Sequence, residues 1–393
     1  MTTEARPHTD AIIRITPLEL ATGWVFGHQA SRVTPLRSGD AANATATLGD
    51  VINRIRGDQS CFVAFSGGRD SSAVLAVATH AARRVGAPDP VPVTNRFPGD
   101  AGAEESTWQE AVVRHLELRE WIRRDARQDS DLLGDSAATQ LERFGVFWPP
   151  TAVVNAALYA EARGGVMLTG EGGDELFDPR RVTALYRLFA LPHPSRSRLR
   201  GALGALIPPR VKRGRKRSEL IDDLVWLQPD AKVTAANAML EDSPEPLHFF
   251  RAVRKALSER AGVIGLHNVG VIADTVGTKL AHPMRDPAFL AALGPVMGRW
   301  GFVDRNTFMQ QLFGDLLPSS MFERRTKATF NSAFFGEACK QFTSSWDGSG
   351  VDVEIVDVER LQSEWNAPEP HGMTFMLLQQ AWLANTGLRR GTS

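Results

Sequence analysis

The fold is decided by one stretch, Cys61-Phe-Val-Ala-Phe-Ser66-Gly67-Gly68-Arg69-Asp70-Ser71-Ser72, which continues with a helical pattern over residues 73–85. Its apolar beginning is typical of a buried central strand in a parallel sheet. The glycines that follow let backbone N–H groups approach a ligand closely, because glycine has no Cβ. We expect the side chains of Asp70, Ser71 and Ser72 to cap the first turn of the helix. Such a helix N-terminus favours an anion, usually phosphate, and the alternative is an ordinary strand–turn–helix junction.

The composition is that of a globular protein without a charge bias. The chain has 393 residues, 43% hydrophobic and 23% charged, and its 45 basic residues balance its 45 acidic ones. This balance argues against generalised nucleic-acid binding. Two cysteines are too few for a disulfide framework, and Cys61 is expected to be a core residue rather than a nucleophile. The sequence shows neither a basic–apolar leader nor an apolar run of bilayer length, so we expect a cytoplasmic protein without a membrane partner.

Strands and helices alternate from residue 59 onward, which is typical of an α/β fold with a parallel sheet. Further strands are predicted at residues 91–97, 120–123 and 165–169. After residue 177 helical patterns dominate. We therefore expect a nucleotide-binding core over residues 59–190 and a mostly helical substrate lobe over residues 191–393, which together complete one domain.

The first 58 residues carry weaker patterns and are expected to form a short N-terminal segment. Residues 12–15 and 23–27 are predicted as short strands, because both are apolar and contain β-branched or aromatic residues. Residues 48–56 are predicted as a short helix that leads into the main motif.

One segment, residues 196–217, is strongly basic, and no acidic residue occurs between Asp178 and Glu219. A block of like charges repels itself, so we predict a solvated loop. The alternative is a docking patch for an acidic partner such as a carrier protein, a peptide or an RNA. The basic residues are Arg196, Arg198, Arg200, Arg210, Lys212, Arg213, Arg215, Lys216 and Arg217.

A second glycine loop, Gly170-Glu171-Gly172-Gly173-Asp174-Glu175, directly follows the predicted strand at residues 165–169. Ligands of open α/β sheets bind at the carboxyl ends of the strands, where both loops are expected. The first loop lacks the lysine of a Walker A sequence, which argues against γ-phosphoryl transfer and suits cleavage between the α- and β-phosphates. Asp70 and Asp174 each follow a glycine turn and are predicted to hold Mg²⁺, which prefers one or two carboxylates plus phosphate oxygens and water. The ion neutralises charge on leaving pyrophosphate.

These loops resemble two family signatures. Ser66-Gly-Gly-Arg-Asp-Ser71 is similar to the PP-loop of the ATP pyrophosphatase superfamily, and Thr169-Gly-Glu-Gly-Gly-Asp-Glu-Leu-Phe177 resembles the second signature of the asparagine synthetase and β-lactam synthetase family. Two weaker matches follow, GTKLAHPMRD at residues 277–286 and Arg325-Thr-Lys-Ala-Thr-Phe330. The resemblance implies a parallel five-stranded PP-loop sheet, of the adenine nucleotide alpha hydrolase-like kind, flanked by helices and followed by a mostly helical lobe.

The resemblance also implies roles for individual residues. Asp70 and Asp174 would bind the metal, and Lys327 would stabilise negative charge in the transition states. Glu171 would position or deprotonate an attacking amine. The alternatives are a surface lysine for Lys327 and a carboxylate that only orders the loop for Glu171. The residues implied to bind ATP are Ser66, Gly67, Gly68, Asp70, Ser71, Ser72, Gly170, Gly172 and Gly173.

The activity implied is Mg-ATP-dependent adenylation of a substrate carboxylate, release of pyrophosphate and AMP, and transfer of the acyl group to an amine. Asparagine synthetases begin with a glutaminase domain and a cysteine nucleophile, whereas this chain has Thr2 at that position and no cysteine before Cys61. The amine is therefore expected to be free ammonia, an amino-bearing second substrate, a group within the same small-molecule or peptide substrate, or ammonia from a separate partner. Lys279 and Ala281 replace an acid and an arginine of the family stretch, which favours specialised amide or lactam formation over asparagine production.

Three other functions stay open at this point. They are a glutamine-independent asparagine synthetase, another PP-loop enzyme that transfers nitrogen or sulfur to a nucleotide or tRNA, and a nucleotide-binding scaffold without catalysis. Intact Asp70, Asp174 and Lys327 argue against the scaffold. Thiolation usually requires reactive cysteines, and Cys61 and Cys339 are poorly placed for it.

Overall fold

A five-stranded sheet, all of it parallel, organises the chain. The computed structural model describes residues 11–29, 38–97, 105–126, 129–192, 195–242, 244–323 and 334–391. The strand order is β3-β2-β1-β4-β5, and the α/β fold with five parallel strands predicted above is confirmed. The strands are β1 (Cys61–Ala64), β2 (Val91–Arg96), β3 (Ile122–Asp125), β4 (Val166–Leu168) and β5 (Lys279–Ala281).

Each face of the sheet is covered by its own hydrophobic core, because successive strand residues point to opposite faces. Cys61 and Val63 pack into the first core, whereas Phe62 and Ala64 contact the second. Burial raises the pKa of the Cys61 thiol to about 11, as expected for a core residue rather than a nucleophile. With both faces buried, the strands position the loops at their carboxyl ends on a rigid frame.

Helices surround the sheet and form most of the C-terminal half, which agrees with the predicted helical region. Residues 150–154, 283–285 and 372–374 form 3₁₀ turns. Of the described residues, no helix combines the length and apolar character that a bilayer crossing requires. The α-helices are α1 (Pro17–Thr22), α2 (Ala41–Arg56), α3 (Arg69–Arg84), α4 (Ser106–His115), α5 (Asp135–Phe144), α6 (Ala156–Ala160), α7 (Gly173–Phe177), α8 (Thr183–Ala190), α9 (Arg196–Leu206), α10 (Pro209–Asp223), α11 (Pro229–Asp242), α12 (Phe249–Leu257), α13 (Arg260–Thr275), α14 (Pro287–Met297), α15 (Arg305–Phe313), α16 (Ser320–Glu323), α17 (Glu337–Ser344), α18 (Val358–Trp365) and α19 (Phe375–Gly391).

The strands predicted at residues 12–15 and 23–27 are wrong. The backbone of Ile13 pairs with a side chain instead of a strand: its N–H donates to Asn268 Oδ1 at 2.9 Å, and its carbonyl accepts from Asn268 Nδ2 at 3.1 Å. The Phe26 N–H likewise donates to Glu19 Oε1 at 2.9 Å. Polar side chains therefore satisfy backbone groups that a sheet would otherwise pair.

The solvated loop predicted for the basic segment is also wrong, because residues 196–217 lie in α9 and α10. Pro209 occupies the first turn of α10, where a missing N–H costs nothing. None of the fifteen residues of α10, all within the described part of the chain, is buried. Like charges are tolerated in this helix because each of its side chains retains contact with solvent.

Candidate active site

The two glycine loops lie against each other at the carboxyl edge of the sheet. β1 and β4 are neighbours, with Phe62 opposite Met167, so the loops that follow them emerge side by side. A Cβ atom on Gly170 would lie 2.7 Å from the backbone nitrogen of Ser71, and one on Gly173 would lie 2.2 Å from Asp70 Cγ. Only glycine at these two positions permits the observed contact between the loops.

The first loop is ordered by its own serines, and the predicted capping of α3 by Asp70, Ser71 and Ser72 is wrong. The cap residue is Gly68, which has no side chain. The Ser66 N–H donates to Ser71 Oγ at 3.3 Å, and the Ser72 hydroxyl donates back to the Gly68 carbonyl at 2.8 Å. A glycine cap leaves the N-terminus of α3 accessible to an incoming anion.

A cavity of about 380 Å³ opens between the two loops. Gly67 and Ser72, which are also implied to bind ATP, are buried and do not line this cavity. Lys327 lies outside the described residues. The implied site residues that do line this cavity are Ser66, Gly68, Asp70, Ser71, Gly170, Glu171, Gly172, Gly173 and Asp174.

The carboxylates of Asp70 and Asp174 converge on one guanidinium, that of Arg305. Arg305 Nη2 donates to both Asp70 oxygens at 2.7 and 2.5 Å, and Nη1 donates to Asp174 Oδ1 at 2.7 Å. Burial raises the pKa of Asp70, and the Asp174 carboxylate adds to this, although Arg305 opposes it. The two carboxylates therefore share one counter-ion, the guanidinium of Arg305.

This pair fits a magnesium ion that arrives with phosphate. Mg²⁺ needs only one or two carboxylates when phosphate oxygens and water complete its octahedron. Across the described ranges, no group of three or more His, Cys, Asp or Glu side chains forms a metal site by itself. The donor set therefore suits a metal shared with a ligand better than a metal caged by protein alone.

The sequence profile of the asparagine synthase family matches residues 45–267, more than half of the chain. The chain belongs to the asparagine synthase family. Members of this family are generally ATP-dependent ligases that form carbon–nitrogen bonds, and they use ATP, generally with Mg²⁺. No glutaminase domain is matched. Comparison with curated proteins gives no match.

Glu171 faces the same cavity in this asparagine synthase family member. Its N–H donates to the Thr169 hydroxyl at 3.2 Å, which fixes the loop. Its side chain lines the cavity and is exposed to solvent there, while neighbouring protein atoms crowd its carboxyl group. The resulting loss of hydration raises the pKa of Glu171, the Glu175, Asp174 and Asp70 carboxylates raise it further, and Arg285 opposes the shift. A carboxylate with a raised pKa is a stronger base.

Three further residues near the site were missed by the sequence interpretation: Arg305, Arg285 and His282. Arg285 Nη1 donates to Glu175 Oε1 at 2.8 Å, and His282 Nδ1 shares a hydrogen bond of 2.7 Å with the Thr169 hydroxyl. The motif GTKLAHPMRD contains His282 and Arg285, so its weak family match was a usable signal. Arg305 lies beyond the matched residues and in none of the motifs.

Lys279 and Ala281, the two positions that differ from the family stretch, lie in the last strand of the sheet. Both belong to β5, where they pair with β4, and the Lys279 side chain is exposed. Neither residue lines the cavity between the glycine loops. The interpretation of these two positions as evidence against aspartate as the substrate stays a prediction.

A second cavity, of about 200 Å³, adjoins the first and shares Ala64, Ser66, Asn155 and Leu158 with it. It lies beyond the carboxyl ends of β1 and β2 and is lined largely by apolar side chains, including Phe65, Val93, Phe97, Val154 and Phe334. Polar groups such as Asn95 and Ser130 stand at its wall. A long cleft, polar at one end and apolar at the other, results.

Proposed function

We propose that this protein is a Mg-ATP-dependent, AMP-forming ligase that adenylates a substrate carboxylate and joins it to an amine as an amide or lactam. The family supplies ATP dependence and carbon–nitrogen bond formation. The observation that carries the finer proposal is the convergence of the glycine-capped N-terminus of α3 with Asp70 and Asp174 in one cavity. That arrangement suits a polyphosphate held by backbone N–H groups and a divalent cation.

In the proposed first step, a carboxylate oxygen of the substrate attacks the α-phosphorus of ATP. The α–β anhydride bond breaks, an acyl-adenylate forms, and pyrophosphate leaves with the bonding electron pair. Ser66, Gly68 and Ser71 hold the phosphates, and Asp70 and Asp174 hold Mg²⁺. The ion would neutralise charge on the leaving pyrophosphate. The second cavity takes the adenosine, because its apolar lining suits a purine ring.

In the proposed second step, the amine nitrogen attacks the acyl carbon and AMP departs. Glu171 accepts the proton that the nitrogen loses, and its raised pKa suits this role. Lys327 keeps the role that the sequence match implies, stabilisation of negative charge in both transition states. Phe334 lines the cavity proposed for adenosine.

The decisive experiment is product analysis by ³¹P NMR after incubation with Mg-ATP and a panel of carboxylates and amines. The panel includes aspartate with ammonia, amino acids with a side-chain or distant amine, and short peptides. We expect AMP and pyrophosphate to appear in a carboxylate-dependent way. Asp70→Asn and Asp174→Asn are expected to abolish pyrophosphate release, whereas the exposed Asp89→Asn is the matched control and retains it.

The other outcomes each select a different function. Production of ADP and phosphate would disprove adenylation. ATP binding without product under any combination would favour a non-catalytic scaffold, and pyrophosphate release with only aspartate and ammonia would identify an asparagine synthetase. Pyrophosphate release that needs a nucleotide or tRNA acceptor would place the protein with the other PP-loop enzymes. Glu171→Gln is expected to preserve adenylation and slow amide formation.

We further propose that the α9–α10 surface binds an acidic protein segment, such as a carrier protein or an acidic peptide that presents the substrate. The groove between α8, α9 and α10 has a volume of about 770 Å³ and carries Arg210, Lys212, Arg213 and Lys216 on its wall. The partly exposed apolar side chain of Ile207 also lines it, together with Ala205 and Leu240. Basic residues around an apolar groove complement an acidic amphipathic segment.

This partner is tested by charge reversal. Arg210→Glu with Arg213→Glu is expected to weaken binding of a synthetic acidic amphipathic peptide in fluorescence polarisation at low salt. The matched double variant Arg114→Glu with Arg119→Glu, at positions that do not line this groove, should bind like the wild type. Equal affinity of the Arg210/Arg213 variant and the wild type would contradict the proposal.

A further inference from the structure

Arg305 is fully committed to carboxylates. It is the first residue of α15, and Asp304 caps that helix by accepting from the Thr307 N–H at 2.9 Å. Its guanidinium donates twice to Asp70, once to Asp174 and once to Asp178. One positive charge therefore holds three negative ones together at the mouth of the cavity, and two of them are the proposed metal ligands.

One donor of this guanidinium is left over. A guanidinium has five N–H donors. The two Nη atoms of Arg305 make four hydrogen bonds to the carboxylates, so the remaining donor is Nε–H. Arg305 Nε is buried and has no hydrogen-bond partner among the described residues. A buried donor without a partner costs free energy, so this group gains from any arrangement that brings it an acceptor.

Among the described residues, acidic side chains outnumber basic ones in the lining of the cavity. The acidic residues are Asp70, Glu105, Glu171, Asp174 and Glu175, and the basic ones are Arg69 and Arg305. A polyphosphate would add further negative charge, which favours the entry of a cation with it. Burial lowers the pKa of Arg305, but Asp70 and Asp174 outweigh this and raise it, so the guanidinium stays charged throughout.

A free divalent cation and Arg305 compete for the same oxygens. To bind both carboxylates the ion must displace three hydrogen bonds. The half-buried guanidinium would then keep only its bond to Asp178, and leaving most of its donors unpaired is costly. Phosphate oxygens remove this cost, because they accept charge-assisted hydrogen bonds from guanidinium in the same planar geometry as carboxylates.

We propose that Arg305 is the resident counter-ion of the Asp70–Asp174 pair: it keeps free divalent cations out and releases the carboxylates only to a metal that enters with phosphate. The inference rests on the proposed metal role of these two aspartates. It makes metal binding depend on nucleotide through one side chain that lies outside the family match and outside every motif of the sequence.

The test measures Mn²⁺ binding to the full-length protein without nucleotide, by electron paramagnetic resonance. Wild type is expected to show no uptake at this pair, whereas Arg305→Met gains a site. A neighbouring arginine lowers the pKa of a carboxylate by about 1–3, a tenfold to thousandfold loss of proton affinity, and we expect its removal to raise Mn²⁺ affinity by a factor of the same order. The gained site should vanish in Arg305→Met/Asp70→Asn. Arg54→Met, which removes an exposed ion pair with Asp286, is the matched control and should behave as wild type.

A second readout covers the case in which Arg305→Met is unstable. Three carboxylates without their counter-ion repel one another, so Mn²⁺ should raise the thermal midpoint of Arg305→Met and leave that of wild type unchanged. If the variant folds only with Mn²⁺ present, that rescue supports the proposal as well. Adding a non-hydrolysable ATP analogue should make wild type bind Mn²⁺.

Two results would overturn the inference. One is wild-type binding of free Mn²⁺ at the Asp70–Asp174 pair with the affinity of Arg305→Met. The other is an Arg305→Met protein that stays folded and gains no site. Both are obtained without ATP turnover, so they are independent of whether AMP or ADP is the product. Failure of the proposed reaction and failure of this inference are therefore separate outcomes.

Discussion

Two helices of nearly equal length, α3 and α10, have opposite relations to the rest of the molecule. α3 has 16 residues and buries eleven of them, including an unbroken series from Ser71 to Thr79. α10 has 15 residues and buries none. Most helical stability in proteins comes from packing of an apolar face, so α3 is held by the fold. α10 has no buried apolar face to maintain, so most of its positions can carry charged side chains.

The difference separates the helix that builds the candidate site from the helix that we propose contacts a partner. α3 positions Asp70 because the core fixes the helix behind it. α10 contributes positive charge at the surface and leaves the sheet unaffected. Substitutions that disturb the packing of α3 should therefore alter the site, whereas substitutions in α10 should not.

The largest expected effect comes from a cavity in α3. Leu75 is fully buried in the first core, and Leu75→Ala should lower the free energy of unfolding by about 2–5 kcal/mol. Val211→Ala on α10, where the side chain is 72% exposed, should change it by less than about 0.5 kcal/mol. Urea denaturation measures both, and similar losses would remove the contrast between the helices.

The next effect concerns the contact between the glycine loops. Gly173→Ala should push the Asp70 carboxylate out of place, because the new Cβ would lie 2.2 Å from its Cγ. A displacement of this kind typically lowers turnover by about 100-fold, here measured as pyrophosphate release. Gly270→Ala in α13 is the matched control, since a Cβ there has nothing within 4 Å. Normal turnover of Gly173→Ala would show that the loops can move apart without harm, so that the site does not share the rigidity of α3.

A smaller effect is expected from pH. Burial, and then Arg285, lower the pKa of His282 from its ordinary value of 6.5 to about 4. The neutral ring is favoured in the folded state, so its contribution to stability is complete above pH 6.5 and is lost as pH falls towards 4. Between pH 8 and pH 5 this amounts to about 2 kcal/mol. His282→Asn should flatten that part of the pH profile of unfolding, and the exposed His80→Asn should not.

The smallest effect is expected from α10 itself. Simultaneous substitution of Arg213, Arg215, Lys216 and Arg217 by glutamine should change the free energy of unfolding by less than about 1 kcal/mol, since exposed ion pairs contribute little. Arg215 and Glu219 form one such pair, at 2.8 Å. A loss comparable to that of Leu75→Ala would mean that α10 supports the fold after all.

The sheet and both glycine loops could be predicted from sequence because their signals are local. A buried strand, a glycine turn and a helix occupy consecutive residues, and parallel topology then brings the loops to one edge. Arg305 could not be predicted in this way. It is 235 residues from Asp70 in sequence, and only the packing of α15 brings the two together.

The errors have equally specific causes. The apolar stretch around Ile13 has the composition of a strand, but the amide of Asn268 pairs with its backbone and no neighbouring strand is needed. The basic run was assigned to a loop because its charges repel. Solvent reaches the basic side chains of α10, none of which is buried, and screens the repulsion between them. Neither outcome is visible without the tertiary structure.

The pairing of Asn268 with Ile13 bears on the order in which the chain folds during synthesis. Ile13 emerges from the ribosome 255 residues ahead of its partner, and Glu19 emerges 241 residues ahead of Arg260, with which it forms a 2.6 Å ion pair. At about 5–20 residues per second this delay lasts about 10–50 s. Ile13 and Glu19 therefore cannot form these native contacts until α13 has been translated, which delays the docking of the segment that carries them.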